Sequence, residues 1–448
     1  MPFGGIARRR TLLIVALAVG LAVRLARLAL DPLIHPDGPA YLAIAMNVVG
    51  GRFGRVLGGY YSPLYPTLVA LPAALAVPLE LAGRLTALLA GLAALPLLDA
   101  FVRRRLGASA AVAAVLVAAV QPALVKASAQ VLPETLAATL LLGWVVALPD
   151  APLTAGGLAG LAYLARPEGV LLVPLGLFRV RAHRVAYVGA ALLVMAPALV
   201  ALRVETGHWQ LSPREARIVP VPGATSLADA ALRDPRAFAV AVARGAVEQT
   251  LDDAKALSPF LWPAFAAGVA SASARAAVGW PLVVAASFTA LPLALNPSPR
   301  YAVPLVPLLL PAVAAGLVAL AARLGRRAQA AGAALGVALV VQALWVSNPF
   351  DAACSREVGD LLVSRYGTGQ ALVAVDGRFA YRARGRALVP RTTAPDEALA
   401  LAREKGARLW LTRPAWLGRA WTPPPDVRPV ARPCGGTFVL FEVSEGAR

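Results

Sequence analysis

Apolar runs of close to 20 residues recur along this chain, and they constrain its fold more than any other feature. Arginines bound many of them, as in ARRRTLLIVALAVGLAVRLARLAL near the start. At about 1.5 Å of rise per residue, a helix of this length crosses the roughly 30 Å hydrocarbon core of a bilayer. Only 15% of the residues are charged, whereas a soluble domain carries about 25%. The sequence therefore predicts an α-helical polytopic membrane protein.

The strong positive charge does not indicate nucleic-acid binding. The formal net charge is +19 and the isoelectric point is near 11.1. The arginines stand mostly at the ends of apolar runs, where lipid headgroups and membrane topology explain them. Because no basic stripe is interleaved with aromatic residues, we exclude nucleic acid as a partner.

The first apolar run has some features of a signal peptide. It follows a basic start, but it is longer than a typical signal-peptide core and contains Arg24 and Arg27. It also lacks a good small-x-small cleavage site. We therefore interpret residues 11–30 as a retained first transmembrane helix.

Eleven candidate spans follow from the apolar runs. They are 11–30, 82–102, 108–125, 133–148, 152–166, 168–178, 184–203, 258–273, 277–296, 301–321 and 329–347. Short cytoplasmic loops are rich in arginine, and this count puts all the arginine clusters on one side. The clusters are Arg8–Arg10, Arg103–Arg105, Arg179 with Arg181 and Arg184, Arg275, and Arg323 with Arg326 and Arg327. The N-terminus is then cytoplasmic and the C-terminus external.

This topology depends on residues 62–79, SPLYPTLVALPAALAVPL, not crossing the membrane. The segment contains Pro63, Pro66, Pro72 and Pro78, and each proline removes a backbone donor from a helix. We interpret it as a juxtamembrane or re-entrant helix on the outer face. An ordinary kinked span is the alternative that the sequence leaves open.

The character of the chain changes after residue 350. Residues 1–350 form the predicted transmembrane domain, with a first external loop at 31–81 and a long external loop at 204–257. Alternating patterns such as ALVAVDG and TFVLFEV predict short strands, so residues 351–448 are predicted to form a small external α/β domain. Cys354 and Cys434 both fall there. A disulfide and two buried thiols are equally compatible with the sequence.

With this topology, several polar residues share the outer face of the membrane. They are Asp37, Lys126, Glu134, Arg166, Glu168, Arg300 and Tyr301. Ionisable side chains at membrane depth are costly and tend to line cavities or to pair. Acids and bases gathered at one face indicate a site for an anionic, lipid-embedded substrate.

Each of these residues also has a structural explanation. Asp37 lies in the turn sequence Pro-Asp-Gly-Pro and is placed to cap a helix over 39–49. Glu134 follows Pro133 in the first turn of a helix, where an acid favours the helix dipole. The arginines could anchor the helices at the membrane interface, and the tyrosines of YYSPLYP could belong to an aromatic belt at that interface. Their shared face is what favours a functional site.

Several stretches, in their order along the chain, give the sequence a family resemblance. They are DGPAYLAIAMNVVGGRF, SPLYPTLVAL, SAQVLPETLAATLLL, LARPEGVLLVPL, ETGHWQLS and RYAVPLVPLLL. In these the sequence resembles the bacterial membrane glycosyltransferases of the GT-C fold, which include protein mannosyltransferases and the aminoarabinose transferases acting on lipid A. The resemblance implies transfer of a sugar from a polyprenyl-phosphate donor in the bacterial inner membrane.

The resemblance also implies roles for individual residues. Asp37 matches the catalytic acid of the first external loop, Glu134 matches a second acid, and Arg300 with Tyr301 matches an element near the lipid phosphate. Where relatives such as protein mannosyltransferases have two adjacent acids, this chain has Gly38 after Asp37. That difference weakens protein O-glycosylation as the function and leaves lipid, glycan and protein acceptors open.

The residue types suit this chemistry. A carboxylate in a partly desolvated loop has a raised proton affinity, which suits a general base for the acceptor hydroxyl. A single base without a covalent intermediate implies inversion at the anomeric carbon. Cations at Arg300, Arg166 and Lys126 would stabilise the departing phosphate, and Tyr61 with its neighbours would form a stacking wall for the sugar.

Two further questions are left open by the sequence. His35, His183 and His208 do not cluster, so no metal site or other cofactor is evident, although a divalent cation held by Asp37 and Glu134 stays possible. A lipid-linked-sugar flippase or another transporter is the alternative function. Against it, the chain has no duplicated half with paired interrupted helices.

Overall fold

The computed structural model describes residues 3–207, 209–213, 219, 221, 223–224, 227–290, 297–346, 349–390, 392–418 and 421–444. The chain divides into two compact units. A helical unit comprises Met1–Leu30 and Tyr41–Trp345, and a sheet unit comprises Asp31–Ala40 and Val346–Arg448.

The helical unit consists of α-helices joined by short turns and 3₁₀ segments. Its helices are α1 (Phe3–Leu30), α2 (Gly38–Val49, which begins in the sheet unit), α3 (Gly54–Leu57), α4 (Leu64–Ala74), α5 (Leu79–Leu106), α6 (Ala108–Val120), α7 (Pro122–Ser128), α8 (Glu134–Ala147), α9 (Pro152–Ala165), α10 (Leu172–Leu177), α11 (Arg184–Thr206), α12 (Leu227–Arg233), α13 (Pro235–Leu257), α14 (Trp262–Ala270), α15 (Ala272–Ala290), α16 (Val306–Leu324) and α17 (Ala328–Leu344). The 3₁₀ segments are Pro167–Leu171, Pro259–Leu261, Pro299–Leu305 and Gly325–Arg327.

Several helices are long and apolar enough to cross a membrane. In the described part of the chain there are four, or six if each of two bent helix pairs is one span. The bends are 50° between α6 and α7, and 119° between Pro259–Ala270 and Ala274–Ala290. The chain is thus a multi-pass membrane protein by helix length and composition, and the count of eleven spans stays a prediction.

Parts of several sequence predictions fall outside the described residues. They include the last six residues of the predicted span 277–296, the end of 329–347, part of the loop 204–257 with His208, and residues 391, 419–420 and 445–448 of the predicted external domain. Within the proline-rich segment 62–79, α4 has 11 residues. At about 1.5 Å per residue, that length is roughly half of a 30 Å hydrocarbon core.

Close helix contacts in this unit depend on residues without large side chains. A Cβ atom on Gly268 would overlap the carbonyl group of Ala312, and one on Gly316 would overlap that of Ala264. Helices α14 and α16 therefore approach backbone to backbone. In lipid, where hydrophobic driving force between helices is absent, such small-residue contacts stabilise helix pairs through close packing.

The sheet unit is built on five strands. They are β1 (Ala371–Ala374), β2 (Arg386–Leu388), β3 (Leu409–Thr412), β4 (Val427–Ala431) and β5 (Val439–Val443), in the order β2-β1-β3-β5-β4. The first three strands in that order are parallel, β5 pairs antiparallel with β3, and β4 pairs antiparallel with β5. One row of paired residues crosses the whole sheet: Leu388, Val373, Trp410, Phe441 and Pro429.

Helices cover both faces of this sheet. They are α18 (Pro349–Tyr366), α19 (Gly377–Arg382) and α20 (Pro395–Lys405), with a 3₁₀ turn at Pro414–Trp416. A disulfide joins Cys354 of α18 to Cys434, 80 residues away. Both sulfur-bearing residues belong to the apolar cluster on one face, so the bond ties α18 to the turn before β5.

The predicted first external loop, residues 31–81, is divided between the two units. Its first part, Asp31–Ala40, folds with the sheet unit. Arg382 donates a hydrogen bond to the carbonyl of Pro32 at 3.4 Å. A Cβ atom on Gly377 would lie 3.4 Å from the carbonyl of Pro36. The segment therefore packs along α19.

Candidate active site

Glu134 is the centre of a buried polar cluster in the helical unit. It is the first residue of α8, directly after Pro133, and only 1% of its surface is exposed. Arg166 donates to its Oε1 atom at 2.9 Å, and Arg300 Nε lies 3.8 Å from the same oxygen. Two cations thus meet one oxygen of a buried carboxylate, an arrangement that offsets the cost of burying its charge.

Arg166 is held in place by the proline that follows it. Proline disfavours helical geometry in the preceding residue, and Arg166 is extended, with φ −155° and ψ 133°, at the end of α9. Its side chain also pairs with Glu168 through two contacts of 3.3 Å. Planar guanidinium groups make such two-point contacts with carboxylates and hold a fixed orientation in them.

The turn after Arg166 packs tightly against α9. A Cβ atom on Gly169 would overlap the backbone of Ala162 and Tyr163. Glycine is therefore required here for close backbone approach. Since Glu168 precedes this glycine, the contact fixes the backbone of the turn that carries Glu168 against α9.

Tyr301 supplies the aromatic side of the cluster. It lies in the 3₁₀ segment Pro299–Leu305 and is buried. The guanidinium carbon of Arg166 is 4.3 Å from the ring centroid, and that of Arg300 is 4.9 Å from it. Arg300 also donates to the Tyr301 hydroxyl at 3.2 Å. The ring therefore holds both guanidinium groups by cation–π contact.

One oxygen of the Glu134 carboxylate has no hydrogen-bond partner among the described residues. Glu134 Oε2 is buried and accepts no hydrogen bond from any described residue. A buried acceptor without a donor costs about 1–3 kcal/mol. The oxygen is thus suited to accept a hydrogen bond from a bound hydroxyl group or water molecule.

A small cavity lies beside this cluster. Arg166, Glu168 and Tyr301 line it together with apolar residues that include Phe288 and Leu305, and its volume is about 20 Å³. That is room for one or two water molecules. A sugar ring needs more space, so binding one here requires these side chains to move.

The tyrosines of the first loop form a second aromatic group. The rings of Tyr41 and Tyr61 are 4.8 Å apart, those of Tyr41 and Tyr65 are 5.5 Å apart, and Tyr60 meets Tyr61 at 5.1 Å. Tyr41 and Tyr65 are buried. Tyr60 and Tyr61 line a cleft with Tyr163 of α9, so their ring faces form part of a wall in the helical unit.

The structure brings together five of the residues that the sequence placed on one face. They are Glu134, Arg166, Glu168, Arg300 and Tyr301. Lys126 is half-buried on α7. Asp37 is half-buried and lies in the segment that folds with the sheet unit. Its backbone N–H donates to His35 Nδ1 at 3.2 Å, and its carbonyl accepts from the N–H of Ala40.

Tyr163 is a cleft residue that the sequence did not single out. Its hydroxyl donates to the carbonyl of Leu211 at 2.9 Å, which ties α9 to the segment after α11. A single tyrosine in an apolar helix has no pattern that distinguishes it from an ordinary core residue. Proximity to the sequence motif LARPEG was the available signal.

Within the described residues, no group of three or more His, Cys, Asp or Glu side chains is placed to hold a metal ion. The ionisable residues of the cluster are two acids and two arginines. This composition suits recognition of a polar or anionic ligand through hydrogen bonds.

Comparison with known proteins gives a structural match without a sequence match. No protein-family model matches the sequence, and curated proteins contain no significant match. The structure is similar to ArnT from Cupriavidus metallidurans in the apo state, with a TM-score of 0.60 and 16% identity, over 97% of this chain and 99% of that one. A second structure of that ArnT, bound to undecaprenyl phosphate, gives a TM-score of 0.59.

Two further solved structures are similar. The oligosaccharyltransferase from Archaeoglobus fulgidus gives a TM-score of 0.58 and 13% identity, over 90% of this chain and 69% of that one. The arabinofuranosyltransferase AftD from Mycobacteria gives 0.51 and 18%, over 97% of this chain and 42% of that one. These proteins are GT-C glycosyltransferases, and the similarity runs through both units. The chain therefore has the GT-C fold of membrane glycosyltransferases.

Proposed function

We propose that this protein is an integral membrane glycosyltransferase that moves a sugar from a polyprenyl-phosphate-linked donor to an acceptor. The fold supports this, since its structural neighbours include ArnT bound to undecaprenyl phosphate and an archaeal oligosaccharyltransferase in complex with a dolichol-phosphate and an inhibitory peptide. The acceptor is a lipid, a glycan or a protein. The donor is a hexosyl or pentosyl lipid phosphate.

The observation that carries the proposal is the buried cluster around Glu134. Arg166 and Arg300 both approach Glu134 Oε1 and both stack on Tyr301. A lipid phosphate that meets Arg300 would find a guanidinium already oriented by an aromatic ring, at a site 20% exposed. Preoriented cations stabilise the charge that grows on a departing phosphate.

Each residue has a role in the proposed single displacement. Asp37 removes the proton from the acceptor hydroxyl as that oxygen attacks the anomeric carbon. The bond between the anomeric carbon and the phosphate oxygen breaks, and the electron pair leaves with the polyprenyl phosphate. The anomeric configuration inverts. Glu134 orients a hydroxyl through its unpartnered oxygen, and Arg300 stabilises the leaving phosphate.

The proposed location is the outer face of a bacterial inner membrane, with the sheet unit external. Residues 31–40 fold with residues 346–448, so both lie on the same side of the membrane. The number of crossings between them must then be even, and the ten spans proposed after the first helix satisfy this. The disulfide of the sheet unit suits an oxidising compartment outside the cytoplasm.

The test is turnover of the Asp37→Asn variant. Purified protein in lipid vesicles is incubated with radiolabelled polyprenyl-phosphate sugars and a membrane extract, and labelled product is measured. Loss of a general base lowers turnover by about 10²–10⁴-fold, whereas donor binding is retained. Asn caps helices as well as Asp does, so a merely capping Asp37 predicts full activity. Asp31→Asn, in the same segment, is the matched control.

Arg300→Ala tests the phosphate contact separately. Loss of a charge-assisted hydrogen bond weakens donor binding by about 1.5–3 kcal/mol. Arg300→Lys keeps the charge and should recover part of that affinity. If no lipid-linked sugar is consumed by the wild-type protein, the proposed function is wrong. If Asp37→Asn alone is fully active, the function survives but the assignment of the base does not.

A further inference from the structure

A second polar cavity lies in the helical unit, away from the Glu134 cluster. Its volume is about 270 Å³. It is bounded by the C-terminal ends of α5, α8 and α10 and by α15. Three arginines line it, Arg105, Arg179 and Arg181, together with Trp280. All three arginines belong to clusters that the sequence places at the cytoplasmic face.

The positive charge of this cavity is not neutralised by the described part of the protein. Arg103 and Arg104, next in the chain, pair with Asp99 and Asp150. By contrast, Arg105, Arg179 and Arg181 form no ion pair with a described carboxylate, and no acidic residue lines the cavity. The cavity thus offers three guanidinium groups to an anion.

Trp280 adds a hydrogen-bond donor for which the described residues supply no acceptor. Its ring stacks under Arg179, with the guanidinium carbon 5.3 Å from the ring centroid. Its Nε1–H group is buried and donates to no described residue. Indole N–H groups usually find an acceptor when buried. Arginines at helix C-terminal ends are explained by the helix dipole, but the dipole does not explain this donor.

The rest of the wall is apolar. Phe101 and Phe178 contribute rings, and Phe178 is 79% exposed. Val145, Leu148 and Pro281 continue the apolar surface. The ligand that fits this combination has an anionic head with strong acceptor oxygens and an apolar body beside it.

We propose that this cavity binds the phosphate group of an anionic phospholipid. Guanidinium groups match phosphate oxygens in two-point contacts, and the indole N–H can donate to a further oxygen. Basic pockets between transmembrane helices at the cytoplasmic side are suited to lipid head groups. The apolar wall favours a lipid over free phosphate, because it would contact the glycerol and acyl chain. This site is independent of the proposed sugar transfer.

Native mass spectrometry of the full-length protein in detergent tests the proposal. The protein is titrated with phosphatidylglycerol and with phosphatidylcholine of the same acyl chains, and the dissociation constant of the first bound lipid is measured. The test variants are Arg179→Gln/Arg181→Gln and Trp280→Phe. The matched control is Arg323→Gln/Arg326→Gln, which removes two exposed arginines of the same predicted face that do not line the cavity.

We expect wild-type protein to prefer phosphatidylglycerol, and the control variant to keep that preference. At about 1 kcal/mol for each arginine, the double variant should bind it roughly 25-fold more weakly. Trp280→Phe keeps the ring and loses the donor, so its affinity should fall about tenfold. Trp280→Phe also tests the proposal if the variant Arg179→Gln/Arg181→Gln does not fold.

Three results would overturn the proposal. The first is equal loss of phosphatidylglycerol affinity in the control and the test variants. The second is equal affinity of the wild-type protein for the two lipids. The third is complete displacement of phosphatidylglycerol by millimolar inorganic phosphate, since that would identify a site for free phosphate rather than for a lipid.

Discussion

Arg166 Nη1 lies 2.9 Å from Glu134 Oε1, across the contact between the end of α9 and the start of α8. Glu134 is 1% exposed and Arg166 is 7% exposed. Glu168 approaches the same guanidinium from its other side. Arg166 is therefore the shared partner of two acids, and its guanidinium group also contacts the ring of Tyr301.

Loss of Arg166 should destabilise the protein more than loss of either acid. Arg166→Met leaves the Glu134 charge buried, with Arg300 Nε at 3.8 Å as its nearest described ion-pair partner. Removing one partner of a buried ion pair costs about 3–5 kcal/mol. Glu134→Gln keeps an acceptor for Arg166 and leaves Glu168 as its counter-ion, so its cost should be smaller. Thermal unfolding in detergent is the measurement.

A double variant measures the interaction energy between Glu134 and Arg166 separately from the effect of each single substitution. Arg166→Met/Glu134→Gln removes both buried charges of the pair, so its unfolding temperature should exceed the value expected from adding the single effects. Glu168→Gln, at a residue 16% exposed, is the control and should cost less than Arg166→Met. Strict additivity of the two substitutions would contradict the assignment of Glu134 and Arg166 as a coupled pair.

Asp253 makes the stability of the protein depend on pH, and this residue lies outside the candidate membrane spans. Burial raises the pKa of Asp253 above its ordinary value of 3.8, although hydrogen bonds from Thr289 and Gln249 partly oppose the shift. At low pH the carboxyl is protonated in both the folded and the unfolded states. As pH rises, the unfolded chain ionises first, and stability is lost until the raised pKa is passed.

Asp253→Asn should therefore stabilise the protein at pH 8, where the wild-type carboxylate is charged. The amide keeps an acceptor for Gln249 and offers a donor to the Thr289 hydroxyl. The advantage should shrink as pH falls through the raised pKa of Asp253 and vanish near pH 3. Unfolding temperatures of both proteins between pH 3 and pH 8 give the comparison.

Asp229→Asn is the matched control for this pH dependence. Asp229 pairs with Arg233 at 2.7 Å, so removing its charge loses a surface ion pair and should not stabilise the protein at pH 8. A constant difference between Asp253→Asn and wild type at every pH would contradict the predicted titration.

The sequence predicted the elements better than their assembly. Apolar run length and alternation are local properties, and they predicted apolar helices and a small α/β domain with short strands, but not the number or order of the five strands. The polar cluster was also accessible, because membrane-exposed charges are costly and topology placed Glu134, Arg166 and Arg300 on one face. Arg166 and Glu168 were also predicted to share that face, but the ion pair between them was not predicted.

No local pattern in the sequence predicts that residues 31–40 pack on α19. It depends on Pro32 meeting Arg382, 350 residues away, and on Gly377 leaving space near Pro36. Neither contact follows from hydrophobic periodicity. The arginine cavity was missed for a related reason. Arg105 and Arg179 were explained by topology alone, and Trp280 in an apolar helix has no pattern of its own.

Loss of the disulfide should weaken the sheet unit. Cys354 and Cys434 are 80 residues apart in sequence, and closing a loop of that length in the unfolded chain corresponds to about 4–5 kcal/mol at most. Cys354→Ala/Cys434→Ala should make residues 346–448 more sensitive to protease, while fragments from the helical unit keep their pattern. Two thiols alkylated in the unreduced, denatured wild-type protein would show that the bond does not form.

Membrane topology gives the last prediction, and single-cysteine labelling tests it. The bonded pair is first replaced by alanine, and Arg52→Cys, Arg104→Cys or Ala400→Cys is then introduced at exposed positions. With eleven spans and residues 62–79 not crossing, positions 52 and 400 react with a membrane-impermeant maleimide from outside. Position 104 reacts only after the membrane is permeabilised.

Arg104 pairs with Asp150 at 3.3 Å through exposed side chains. Such a surface ion pair contributes little to stability, so replacing Arg104 should be tolerated. Labelling of 104 and 400 from the same side would show that residues 62–79 cross the membrane or that another span is miscounted. Labelling of 52 and 400 from opposite sides would contradict the packing of residues 31–40 with the sheet unit.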